Sequence, residues 1–182
     1  MLSADKQAFH DEKDAVLVTG LEVSRHIAVD DCGARHQGRN GYVTQIGNEL
    51  FGWFSSTPSK SRINFLELLH AGQIAHQVTG AALAYMREQG LAASLCDKLQ
   101  TLTTIGVPDV WQQHLAASKI NGERQVRIAA EGALIGSLLE KGLNPGLVIP
   151  SDGAGQFAVL LHALCWILAE RFIHKLIPVN EL

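Results

Sequence analysis

Two aspartates more than a hundred positions apart, Asp30 and Asp152, each close a short apolar run, and this repetition is the feature of the sequence best suited to chemistry. The first run is His26, Ile27, Ala28 and Val29, leading into Asp30 and Asp31; the second is Leu147, Val148 and Ile149, leading through Pro150 and Ser151 into Asp152. Short apolar runs bounded by turn residues predict buried strands. Carboxylates delivered by neighbouring parallel strands suit phosphoryl transfer on a nucleic-acid backbone, which uses two divalent cations about 4 Å apart. Magnesium prefers oxygen ligands and keeps several waters, so aspartates are natural holders for it. An aspartate at a strand end also serves as a turn former or a helix cap, and Asp152 before Gly153-Ala154-Gly155 fits that structural role as well.

The elements that must position these residues follow from periodicity. Residues 1–24 show no clear period and read as a lead-in. Turn signals at Gly38–Gly41 and at Gly47-Asn48-Glu49 divide the next stretch, so residues 25 to about 54 predict three consecutive antiparallel strands, the first carrying the aspartate pair. From Ser61 the spacing of Ile63, Leu66, Leu69, Ile74 and Val78 predicts an amphipathic helix. Further helices are expected over residues 81–88, 91–103, 109–118 and 123–141, with Gly106–Pro108 and Asn121-Gly122 as punctuation. A short strand then ends at Asp152, and an apolar helix is expected from Phe157 to about His174. The expected architecture is α/β: a mixed sheet of three antiparallel strands and then a parallel strand, flanked by helices, with a helical insertion over residues 79–146 in a core of residues 25–182.

Composition narrows the function classes. With 182 residues, 47% apolar and 18% charged, the chain can bury one ordinary core. Its longest apolar stretch, Phe157 to Leu168, is interrupted by His162 and falls short of the roughly 20 residues a membrane helix needs. No membrane partner is expected. The polar N-terminus lacks the pattern of a secretory signal, so a cytoplasmic location is expected. Cys32, Cys96 and Cys165 are too scattered for a disulfide framework or a zinc cluster. A net charge of −3 argues against autonomous binding to a polyanion, although Arg35, His36 and Arg39 form a local basic cluster. His70 and His76 read as core-edge or surface residues, and Trp53, Trp111 and Trp166 as core or interface anchors.

The stretch VDDCGARHQGRNGYVTQIGNELFGWFSSTPSKSRINFLELL, with the later SDGAGQFAVLLHALCWILAER, resembles the DDE transposases of bacterial insertion sequences, particularly the group named after insertion sequence sixty-six. The likeness takes in residues 15–178, and its most specific part is the run from His162 to Ile167. It implies a ribonuclease-H-like fold with two magnesium ions. Asp30 would be the first metal ligand, with Asp31 its rival in the same motif, and Asp152 the second. The implied chemistry is strand hydrolysis at the element's ends, then attack of the freed 3′-hydroxyl on target DNA. Implied partners are transposon-end and target DNA and a second copy or a full-length transposase. Arg35 and His36 lie in the matching motif and suit either phosphate contact or a solvated turn.

Two departures bear on activity. Leu168 stands where the family pattern has a histidine, and the family's third acid, a glutamate, belongs to a helix beyond Leu182. The triad is therefore expected to be incomplete, as in a truncated element. Glu170 reads as an ordinary helix-face residue and Glu181 is a weaker candidate still. A non-catalytic interaction protein that keeps the fold is the alternative. An unrelated magnesium-dependent nuclease would need a third carboxylate from this chain.

Overall fold

The computed structural model describes residues 2–99 and 108–175. The segment expected to be a lead-in is a helix, α1 (Leu2–Val23). Its polar residues hide the pattern because, among the described residues, it is the C-terminal half that is buried, with Leu17 and Leu21 one turn apart in the core. Asp14 of the same helix accepts a hydrogen bond from the Trp53 indole at 3.3 Å.

Three antiparallel strands follow as expected: β1 (Ala28–His36), β2 (Arg39–Gly47) and β3 (Gly52–Thr57), in that order across one sheet. The first strand does not end at its aspartates. It runs on to His36, which pairs with Arg39 across a two-residue turn at Gln37 and Gly38, both with positive φ (49° and 78°). That turn matches the twist of a hairpin. The outer half of β1 projects past the core, so polar residues are no bar to its pairing with β2.

Helix α2 (Arg62–Leu69) is capped by Ser61, whose hydroxyl accepts the Asn64 amide at 3.1 Å. It stops well short of the expected Val78, because Ala71 and Gly72 take left-handed backbone (φ 49° and 78°). Ile74 and Val78 pack half-buried against the core from an extended segment instead, which pairs with a helix through the Gln77 amide and the Ala133 carbonyl at 2.9 Å. The next helices are α3 (Gly80–Glu88), α4 (Ala93–Leu99), α5 (Pro108–Ala117) and α6 (Glu123–Glu140), matching the expected spans where they are described. Gly106 and residues 100–103 lie outside the described residues.

Every residue from Ile128 to Leu138 in α6 is buried, so this stretch of the helix is enclosed on all sides. It links two apolar clusters. One joins α1, the sheet, α2 and Phe157; the other, around Met86, Trp111 and Leu115, fills the space among α3 to α6. The stretch expected to be an insertion therefore shares α6 with the main core.

After α6 comes β4 (Val148–Ser151), which lies parallel beside the run-in to β1: the Ile27 amide donates to the Val148 carbonyl and the Val148 amide to that of Arg25, both at 3.0 Å. The helix expected from Phe157 is replaced by a 3-10 turn (Gly155–Phe157), then β5 (Leu161–Leu164), parallel to β4, then α7 (Trp166–His174). A short apolar run does not distinguish strand from helix by period. Here the free edge of β4 offers backbone partners, and residues 161–164 take them.

Candidate functional site

Alternation along β1 divides the two neighbouring aspartates. Val29 is buried and Asp31 half-buried on the core side of the sheet, while Ala28, Asp30 and Cys32 are exposed on the other. Asp31 is held on both carboxylate oxygens. Thr44, its register partner on β2, donates its hydroxyl to Oδ1, and Gln156 Nε2 donates to Oδ2 at 2.9 Å. The Lys60 ammonium reaches the Asp31 carbonyl at 3.4 Å and sits 5.2 Å from the centre of the Tyr42 ring. Among the described residues, Asp30 accepts only a local bond, from the Asp31 amide at 2.8 Å.

Asp152 is exposed immediately past β4, and its Oδ1 accepts the Ala154 amide at 2.9 Å, an Asx-type turn. Next to it, Ser151 Oγ accepts the Gly153 amide at 3.3 Å and lies 2.8 Å from His162 Nε2 on β5. With one lone pair taken by that amide, Oγ still has its proton and a second lone pair to offer the imidazole, and the tautomer of His162 sets which of the two donates. The turn that carries Asp152 is thus tied to both neighbouring strands: to β5 through His162 and to β1 through Gln156. The two aspartate-bearing segments expected from the sequence meet through this Gln156–Asp31 contact.

A buried ionic cluster lies behind the turn. Glu131, 2% exposed in the middle of α6, accepts the Tyr85 hydroxyl at 2.7 Å and faces Arg62 Nη1 at 3.5 Å. Arg62 Nη2 donates to the Gly155 carbonyl at 2.8 Å. Burial, together with the Glu131 carboxylate, pushes the Tyr85 phenol well above its ordinary pKa.

The remaining candidates scatter. Arg35 and Arg39 are exposed on the hairpin, and the side chains of His36 and Leu168 lie outside the described residues, as does Glu181. Glu170 faces solvent and pairs with His174 at 3.6 Å, one turn along α7. His70 and His76 are buried, and so are Trp53 and Trp111, whereas Trp166 is 73% exposed.

Asp31 and Asp152 supply the hard oxygens that magnesium prefers. Among the described residues, however, no three histidine, cysteine, aspartate or glutamate side chains converge on one point. The residues present therefore do not make up a two-metal site.

The chain has a relative. It is similar to y4jO, an uncharacterized protein of Sinorhizobium fredii (strain NBRC 101917 / NGR234), at 39% identity over 169 residues. The match takes in 91% of this chain and 53% of y4jO, so the chain spans about half the length of the curated relative it matches. No family model matches the chain. No solved structure matches it either.

Several residues of the site escape sequence reading. Thr44 and Gln156 reach Asp31 only through strand register and the post-β4 turn, which no local pattern encodes. Glu131 did leave a signal, as the one charged residue in the run IAAEGALIGSLL. A lone charge in a buried stretch demands partners.

Proposed function

We propose that this chain is part of the catalytic core of a DDE transposase of the insertion sequence sixty-six group, a ribonuclease-H-like domain for phosphoryl transfer on DNA. One observation carries the reading: the run-in to β1 and β4 are parallel neighbours, and Gln156, just past Asp152, donates to Asp31. Across the His26–Val148 bridge the strands read β3-β2-β1-β4-β5, with the first three antiparallel and the last two parallel. This order supports the ribonuclease-H-like reading.

Within it, the geometry favours Asp31 over Asp30 as the first ligand, because Asp31 faces the Asp152 turn. Asp152 remains the second. At least one more acidic side chain is required, from outside the described residues or from another chain, and bound magnesium would supply charge stabilisation at the phosphate. The role open to this chain's own residues is to hold and orient the two aspartates. Transposon ends and target DNA are the partners this reading implies, and the cytoplasm its location.

Isothermal titration with magnesium chloride tests it. The protein is expected to bind magnesium weakly, with D31N/D152N abolishing the signal and D30N sparing it. No magnesium binding by the folded wild type, or binding that survives D31N/D152N, would overturn the assignment. The chain alone is expected to give no strand transfer on transposon-end DNA.

A second reading, a non-catalytic partner of a full-length transposase, is favoured by a separate feature. Leu161, Leu164, Trp166, Ile167 and Ile173 are each more than half exposed along β5 and α7. Contiguous exposed apolar groups mark contact surfaces. Sedimentation velocity distinguishes the cases: a stable self-associated or mixed species without magnesium binding supports this reading over the first.

A further inference from the structure

We infer that α1 is a self-association surface: two copies of this chain pair their first helices antiparallel about a two-fold axis at Val16, each placing its Phe9 in a groove of the other. The inference stands apart from the transposase reading and needs no metal.

Helix α1 has 22 residues and finds little support within one copy. From Asp5 to Glu12 every residue is exposed except His10, which is half-buried beside the Phe9 ring. Helices in water draw most of their stability from packing an apolar face. This half of α1 packs none of its residues into the core among the described residues.

The apolar residues that α1 leaves open are in register. Phe9, Val16 and Val23 are 64%, 43% and 64% exposed, and they recur every seven residues. They therefore form one stripe, with successive members about 10.5 Å apart. Beside its Val16–Val23 half, the turn between β2 and β3 adds Leu50, 70% exposed, and the half-buried Phe51. Helix and turn enclose a groove of about 380 Å³. Gly20 forms its base: a Cβ there would stand 2.5 Å from the Phe51 ring, so the glycine lets that ring lie against the helix.

The stripe is symmetric about Val16, and the symmetry selects a second copy as the occupant. A two-fold axis there sets each residue against the one equally far on the other side of Val16. Val16 meets the partner's Val16, and Phe9 meets the partner's Val23. Each Phe9 ring then enters the Leu50–Phe51 end of the opposite groove, and a cavity of about 150 Å³ already holds a benzene ring. Glu12 comes opposite the partner's Gly20 and meets no like charge. Lys13 is turned onto its own Trp53 ring, 4.6 Å from the centre. From ordinary side-chain areas, the open apolar residues contribute on the order of 400 Å² per copy. With their polar rim the pair covers about 1,200 Å², the lower bound of a stable interface.

Sedimentation equilibrium and cysteine crosslinking on the 182-residue chain test this. Phe9 and Val16 are exposed, so variants there are expected to keep the fold, as circular dichroism would show. The wild type should dimerise with a dissociation constant on the order of 10 µM, and F9E should raise it at least tenfold. Crosslinking is read in C32S/C165S, which retains only the buried Cys96. Under mild oxidation V16C should link to itself, and an equal mixture of F9C and V23C should link in mixed pairs, while F9C alone should not. Efficient self-linking of F9C is the mark of parallel helices and would overturn the arrangement. A chain that stays monomeric at about 200 µM, well above the expected constant, would overturn the proposal. So would a dimer that survives F9E and is lost in I167E, which would place the contact on α7 instead.

Discussion

His76 lies flat against Trp111, with ring centroids 4.8 Å apart and planes 13° from parallel. Both rings are buried, and burial lowers the His76 pKa to about 4. His70 is lowered to about 4 as well, by burial first and then by the nearby Lys141 ammonium, while its Nε2 lies 3.2 Å from the Leu134 carbonyl. Each histidine is thus neutral when folded and takes a proton near pH 6.5 when unfolded. Stability from these groups is fully present above pH 6.5 and is lost as pH falls toward 4. By pH 5 the loss is roughly 2 kcal/mol for each. Urea denaturation should therefore give a flat stability from pH 8 to 7 and a decline below 6.5, with a shallower decline in H76F. An equal slope in H76F would show that His76 does not titrate on unfolding.

Gly136 sets the distance between α6 and the segment leading into α3. A methyl group there would stand 2.4 Å from the Gln77 carbonyl oxygen and 2.9 Å from the Ala82 side chain. Backbone cannot yield as a flexible side chain can. G136A is expected to destabilise the fold by about 1–3 kcal/mol, lowering the melting temperature by several degrees. A melt followed by circular dichroism checks it, and no change would mean that the helices separate freely.

Leu17 has no exposed surface although it sits in a segment that reads as a lead-in. If α1 is part of the folding unit, L17A should cost roughly 2–5 kcal/mol in chemical denaturation. A change below about 0.5 kcal/mol, typical of a surface site, would detach the helix from the core.

These cases show why parts of the fold are legible and others are not. The β1–β2–β3 meander reads from its turn residues, because Gly38 and Asn48 act locally, on the backbone that carries them. Helices α3, α5 and α6 read from period and caps for the same reason. α1 does not, since a long helix whose described buried residues are Leu17, Gly20 and Leu21 carries little apolar signal. Nor does β5, where the strand state of Leu161–Leu164 depends on the edge of β4. The site divides the same way. Asp31 and Asp152 stand out as acids beside apolar runs, but which of Asp30 and Asp31 turns inward is set by alternation from Val29, and the turn's attachment to Arg62 spans 93 positions.

The most direct check on the site is the coupling between Thr44 and Gln156, which donate to different oxygens of one carboxylate. T44V keeps the shape of a 3% exposed side chain and removes its donor; Q156L does the same from the post-β4 turn. Asp31 is half-buried, so water replaces part of each lost bond, and each variant should cost about 1 kcal/mol. The double variant leaves the carboxylate without either side-chain donor, so the two losses should not add, with a coupling of roughly 0.5–1 kcal/mol. Repeating the cycle in D31N isolates the carboxylate, because an amide offers a single acceptor oxygen and no charge. There the coupling should shrink toward zero. A coupling that persists in D31N would mean that Thr44 and Gln156 communicate through the sheet, and that Asp31 does not join the two segments.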